Sequence, residues 1–240
     1  MNQGSGEWMI EPMERFTGIK AIFFDAGNTI IFPNYRLIQR VLSSYGVGVT
    51  AEELFRLDCE QRDQYNRLAA AGEETSHLWE HYWVTLLRRA GMARDIQTEV
   101  IKELTVRSEQ GALWLQVLDG TFETLDALRV SGRTLGVVSN SEGRLESFLE
   151  HVGLRPYFAF VLDSAIVGID KPDPGIFHMA LERAEVHPHE ALFVGDNYPI
   201  DILGARRVGI AGVLFNPAGH EGVFDCPVID RLSALEELLN

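Results

Sequence analysis

Short, dense apolar runs punctuate the chain: "AIFF" at 21–24, "TLGVVS" at 134–139, "FAFVL" at 158–162, "ALFVG" at 191–195 and "AGVLF" at 211–215. A strand with one wet face alternates apolar and polar residues. Runs that do not alternate belong to strands buried on both faces. Between the later runs the apolar residues fall at helical spacing. Leu145, Phe148, Leu149 and Val152 form one such face, and Ile176, Phe177, Ala180 and Leu181 form another. Doubly buried strands alternating with amphipathic helices predict a parallel sheet covered on both sides. The expected fold is therefore α/β, a doubly wound, Rossmann-like sheet.

Residues 34–111 interrupt this rhythm. They hold no β-like run, but "AEELFRLDCEQRDQYNRLAAAG", "TSHLWEHYWVTLLRRAG" and "ARDIQTEVIKELTVRSEQG" are each helical in period. Closing glycines on the first two suit helix ends. The sequence thus predicts a core of residues 20–33 and 112–240, an all-α subdomain over 34–111 and an N-terminal extension over 1–19. Ligands of open α/β sheets bind beyond the carboxyl ends of the strands. An insert leaving the first strand at that end is placed to act as a lid.

The strand ends carry the polar residues of interest. Asp25 ends the first run, and Ser139 and Asn140 end "TLGVVSN". Ser141 follows as an expected N-cap for "EGRLESFLEH". Lys171 lies in "GIDKPDPGIF", where Asp173 suits an N-cap and Pro174 the first helical position. Asp196 and Asp201 lie in "VGDNYPIDILGA". In a parallel sheet these ends converge on one crevice. Three aspartates brought together repel unless a cation joins them, and a hard divalent ion, Mg²⁺ above all, suits oxygen ligands. Ser139, Lys171 and backbone N–H groups would cradle a tetrahedral anion.

Net charge is -14 over 240 residues, which argues against nucleic-acid or anionic-membrane partners. A small anionic substrate remains compatible, because a cation can reverse the field within a cleft. No apolar run is long enough for a membrane helix, and "MNQGSGEWMIEPMERF" lacks the apolar stretch of a signal peptide. Cys59 and Cys226 form no CxxC unit and are expected as reduced thiols of a cytoplasmic protein. Oligomeric state leaves no mark on the sequence. His77 and His81 stand four apart on an expected helix and lack a third zinc ligand. Trp79, Tyr82, Trp83, Leu86 and Leu87 are expected to form the insert's own core.

With "FFDAGNTI", "VVSN", "GIDKPDPGIF" and "GDNYPIDILGA" in this order, the chain resembles the haloacid dehalogenase-like hydrolase superfamily over most of its length. The helical insert resembles that family's four-helix cap. The resemblance implies that Asp25 is the nucleophile and a metal ligand, and that Ser139 binds the phosphoryl group. It implies that Lys171 pairs with Asp25 and with that group, and that Asp196 binds Mg²⁺. Asp201 would act on the metal directly or through its waters, and Gly27 would offer it a backbone carbonyl. A small phosphorylated substrate and an aspartyl-phosphate intermediate follow from the same resemblance.

Gly27 departs from the pattern. The family's phosphatases usually carry a second aspartate there, which protonates the leaving oxygen and later deprotonates water. General acid–base help is typically worth about 10²–10⁴-fold, or roughly 3–5 kcal/mol. Two alternatives follow. One is a dehalogenase that attacks carbon without metal, for which Arg36, Arg56 and Trp79 are available; the intact Asp196 and Asp201 speak against it. The other is a catalytically weak or non-catalytic binding protein. Phosphonate hydrolysis would need an insert lysine for a Schiff base, and residues 34–101 contain none, with Lys102 near the insert's end.

Overall fold

The computed structural model describes residues 15–75, 81–218 and 224–239. Six parallel strands form one sheet in the order β5-β4-β1-β6-β7-β8. They are β1 (Ala21–Phe24), β4 (Thr134–Ser139), β5 (Phe160–Asp163), β6 (Ala191–Gly195), β7 (Ala211–Phe215) and β8 (Val228–Ile229). The sequence placed β5 at 158–162. Residues 158–159 instead lead out of a short 3₁₀ turn, and the strand runs on to Asp163.

β1 is fully buried at all four positions, as its unbroken apolar run requires. Its side chains alternate between two interiors. Ile22 and Phe24 join a large core that also holds Val137, Val194 and Val213, while Ala21 and Phe23 pack with Phe160, Phe177 and Phe193. α5 (Thr121–Val130) and α6 (Leu145–His151) cover the first face. α7 (Pro174–Ala184) covers the second through Ile176, Phe177, Ala180 and Leu181, all buried.

Phe24 is level with Val137 on one side and Val194 on the other, so β1, β4 and β6 end at nearly the same height. The chain leaves β1 for β4 and β5, then returns to β6 on the opposite side of β1. That change of direction leaves an open crevice above β1, where ligands of such sheets bind.

Four described helices make up the insert: α1 (Tyr35–Ser44), α2 (Ala51–Ala70), α3 (Tyr82–Arg89) and α4 (Arg94–Glu109). α1 adds to the three expected helical segments. The segment predicted to begin near residue 75 is helical over 82–89, and residues 76–80, with His77 and Trp79, lie outside the described residues. Short antiparallel strands, β2 (Phe32–Pro33) and β3 (Trp114–Gln116), bracket the insert. They are too short for any periodicity to reveal. Leu86 and Leu87 are buried as expected. Among the described residues, however, the insert's Tyr35, Ile38, Leu54, Leu87 and Val100 share one continuous core with Ile22 and Phe24. Among the described residues no helix is long and apolar enough to cross a membrane.

Candidate active site

At the carboxyl end of β1, Asp25 sits directly above the central strand and is buried. Lys171, on the turn before α7, places its ammonium 2.6 Å from Asp25 Oδ1 and 2.7 Å from Asp201 Oδ1. Asp173 caps α7 by accepting from the Gly175 N–H at 2.7 Å, with Pro174 first in the helix, as the sequence predicted. The Asn140 side chain holds that turn through both backbone groups of one residue. It donates to the Lys171 carbonyl at 2.8 Å and accepts from the Lys171 N–H at 2.7 Å. Asn140 therefore holds the backbone that carries Lys171, and it also lines the cavity described below. Burial works against the Lys171 ammonium, yet Asp201 and Asp25 outweigh it and hold its pKa above the ordinary lysine value.

After β6 the chain makes a π-type turn, Tyr198–Ile202, that folds Asp201 back toward the strand end. The Asn197 N–H donates to Asp201 Oδ2 at 3.0 Å. Any side chain at Gly195 would collide with the Asp201 carboxylate, so glycine is needed for this close approach. Oxygens of Asp25, Asp196 and Asp201 all lie within 4.8 Å of one another. Burial pushes Asp196 and Asp201 upward in pKa, and the Asp25 carboxylate adds to it. Arg62 opposes the rise at Asp196, as Lys171 does at Asp201. Two cations face three crowded, buried carboxylates, so the cluster is short of positive charge. An all-oxygen donor set of this kind suits a hard divalent cation.

Arg62 went unnoticed in the sequence. It projects from α2, and its Nη1 lies 3.2 Å from Asp196 Oδ2. Four residues to either side, Asp58 and Asn66 continue the same buried face. Asp58 lies 3.6 Å from Arg62 Nε and accepts hydrogen bonds from Tyr35 at 2.5 Å and from Tyr82. Burial and the Asp58 charge push both phenols up. Asn66 donates to the Asp196 carbonyl at 2.7 Å and accepts from the Tyr198 N–H at 2.9 Å. α2 is thereby fastened to the loop that carries Asp196. The only advance signal was the repeat of polar residues at four-residue intervals, which any solvated helix face also shows.

A cavity of about 280 Å³ opens above these groups. Its lining includes Asp25, Ser139, Asn140, Lys171, Asp196 and Asp201, and also Gly27 and the apolar Ile31, Trp114, Leu145 and Phe148. Ser139 thus lines the same cavity as Asp25, in keeping with the expected convergence of strand ends. Ser141 is not the N-cap of the following helix, which begins only at Leu145. Asp163, at the end of β5, serves that bend instead. It accepts from the Ser141 hydroxyl at 2.8 Å, the Gly143 N–H at 3.0 Å and the Leu145 N–H at 3.1 Å. Arg56 pairs with Glu60 at 2.5 Å on an exposed part of α2, and neither it nor Arg36 lines this cavity.

The family model for haloacid dehalogenase-like hydrolases matches residues 19–209. The chain belongs to that family. The Bos taurus protein called haloacid dehalogenase-like hydrolase domain-containing protein 3 is 43% identical over 146 residues, 58% of this chain. The match spans 56% of that relative's length. A phosphatase of the family from Thermococcus onnurineus superposes with a TM-score of 0.58 at 26% identity, covering 91% of this chain and 97% of that one. A 2-haloacid dehalogenase from Pseudomonas syringae pv. Tomato DC3000 superposes with a TM-score of 0.54 at 27% identity, covering 92% and 97%. Overall likeness is nearly equal for the two chemistries, so the choice between them falls to the site's own residues.

Proposed function

We propose that the protein is a Mg²⁺-dependent phosphatase of a small phosphorylated metabolite, with Asp25 as nucleophile. The observation that carries this reading is the meeting of three carboxylates within 4.8 Å, with Lys171 bridging two of them. Asp25 would attack phosphorus and form an aspartyl-phosphate that water then cleaves. Lys171, already facing Asp25, would offset charge on the transferring group. Ser139 would bind a phosphoryl oxygen, and Asn140 would keep Lys171 in place. Mg²⁺, held by Asp25, Asp196, Asp201 and the Gly27 carbonyl, would neutralise charge on the phosphoryl oxygens. A cytoplasmic setting belongs to the same proposal, supported by two unpaired thiols. Neither nucleic acid nor membrane is proposed as a partner, in keeping with the net charge of -14.

Displacement at carbon has little use for an intact metal-binding acid pair such as Asp196 and Asp201, which weighs against a dehalogenase. The second reading, a weakly catalytic or non-catalytic binding protein, is favoured by one observation, the absence of a side chain at Gly27. Phosphate release from a panel of phosphate esters and acyl phosphates separates the readings. The phosphatase reading predicts release that needs Mg²⁺, stops in EDTA and disappears in Asp25→Asn. Halide release from 2-haloacids in EDTA would establish the dehalogenase. Mg²⁺ and a phosphate analogue binding tightly with no turnover would establish the binding protein.

A further inference from the structure

Part of the cavity's lining is apolar and includes two aromatic rings. Ile31, Trp114, Leu145 and Phe148 line it, and they come from the turn after β1, from β3 and from α6. At Gly27 a Cβ would lie 3.5 and 3.7 Å from the Trp114 ring carbons Cζ3 and Cη2. The indole therefore covers the backbone two residues from Asp25, where a longer side chain would have to project. The cavity's carboxylates are Asp25, Asp196, Asp201 and Glu142. The first three form the charged cluster. Glu142 is 76% exposed and lies 3.1 Å from the Arg144 guanidinium, so it belongs to solvent and to that ion pair.

Resting on the phosphatase reading above, we infer that the substrate's leaving group is a planar, aromatic and intrinsically acidic hydroxyl, and that Trp114 and Phe148 select it. As an Asp25 oxygen bonds to phosphorus, the P–O bond to the leaving group breaks and its electron pair stays on the departing oxygen. With no acid beside it, that oxygen leaves as an anion and takes its proton from solvent afterwards. A phenol, ionising near pH 10 like tyrosine, tolerates this far better than an aliphatic alcohol. Water then attacks the phosphorus of phospho-Asp25, and the bond to Asp25 breaks to restore its carboxylate. One of the water's protons stays on its oxygen and the other passes to a phosphoryl oxygen, giving dihydrogen phosphate, which then ionises in solvent. An aromatic leaving group also matches the wall it must lie against, since rings stack on rings with more than area burial alone. A cavity of 280 Å³ sits at the small end of ligand sites, which suits a single-ring substrate.

The test measures phosphate release with Mg²⁺ from phenyl phosphate through 4-nitrophenyl phosphate, from acetyl phosphate and from glycerol 3-phosphate. The expected kcat falls about 10²-fold or more from aryl to alkyl substrate, the size of a missing general acid. Trp114→Ala is expected to raise KM about tenfold for the aryl esters and to leave that for acetyl phosphate unchanged; Trp114→Phe should restore most of the loss. Glu142→Gln should change nothing. Equal turnover of glycerol 3-phosphate, or a loss of its turnover confined to Glu142→Gln, would overturn the inference by revealing a proton donor. Acetyl phosphate outpacing every aryl ester, with Trp114→Ala and Trp114→Phe silent, would overturn the aromatic assignment. In each of these cases the phosphatase reading survives. No phosphate from any compound would instead remove that reading itself.

Discussion

The cavity's charged floor and its apolar wall are built on opposite terms. On the floor each ionic group is held by another: Lys171 by Asp25 and Asp201, Asp196 by Arg62, and Arg62 by Asp58. On the wall, Ile31, Trp114, Leu145 and Phe148 contribute shape and little else. A burial of charge this dense is tolerable only while its partners stay matched, whereas an apolar surface tolerates piecemeal change. Substitutions should therefore be severe and coupled on the floor, mild and separable on the wall.

Removing Lys171 tests this most harshly. Lys171→Met leaves Asp25 and Asp201 buried without their cation and should cost about 3–5 kcal/mol in urea denaturation, by analogy with other broken buried pairs. Added Mg²⁺ should recover part of that. Arg62→Met should cost roughly 3 kcal/mol for the same reason, because Asp58 loses its cation too. Equal losses from Phe148→Leu would erase the contrast.

A pH titration of stability comes next. Burial, only partly offset by Arg62 and Lys171, raises Asp196 to about 8 and Asp201 to about 6, against 3.8 for an ordinary aspartate. A carboxyl with a raised folded pKa binds its proton more tightly in the folded state. Its favourable contribution is full below the unfolded value and is lost as pH climbs through the folded one. Metal-free protein should accordingly lose stability as pH climbs from about 4 to about 8. Asp196→Asn should flatten the upper part of that slope, and Trp114→Phe should shift the curve without bending it. A flat profile in the metal-free wild type would refute the claim that the floor lacks positive charge.

The smallest effect belongs to Gly27. A Cβ there makes only ordinary contact with Trp114, and the backbone is not in the left-handed region. Gly27→Ala should stabilise the protein by about 0.4–1 kcal/mol through the unfolded chain's lost entropy, read in the same denaturation assay. A loss of more than about 1 kcal/mol would mean that the wall is as rigidly matched as the floor.

The same contrast governs what the sequence revealed. Asp25, Ser139, Asp196 and Asp201 follow buried strands, and a parallel sheet brings strand ends together whatever the loops do. Lys171 precedes a helix whose cap and first turn are written in Asp173 and Pro174. These residues were legible because local pattern alone determines where they go. Arg62 sits in an ordinary-looking polar helix, and only packing of α2 against the Asp196 loop gives it a role. Trp114 lies on a three-residue strand, and its approach to Gly27 depends on where the insert rejoins the core. The capping aspartate at the end of β5, Asp163, was hidden for the same reason, serving a helix that begins 18 positions earlier. Contacts of this kind arise between elements far apart in sequence and carry no periodicity.

The central claim is that the floor exists to make Asp25 a nucleophile toward phosphorus. Acid quenching of the protein during turnover of a phosphate-labelled aryl ester with Mg²⁺ tests it directly. The account predicts label bound covalently to Asp25, lost on chasing with unlabelled substrate and absent from Asp25→Asn. Steady phosphate release with no label on Asp25, undiminished in Asp25→Asn, would contradict it.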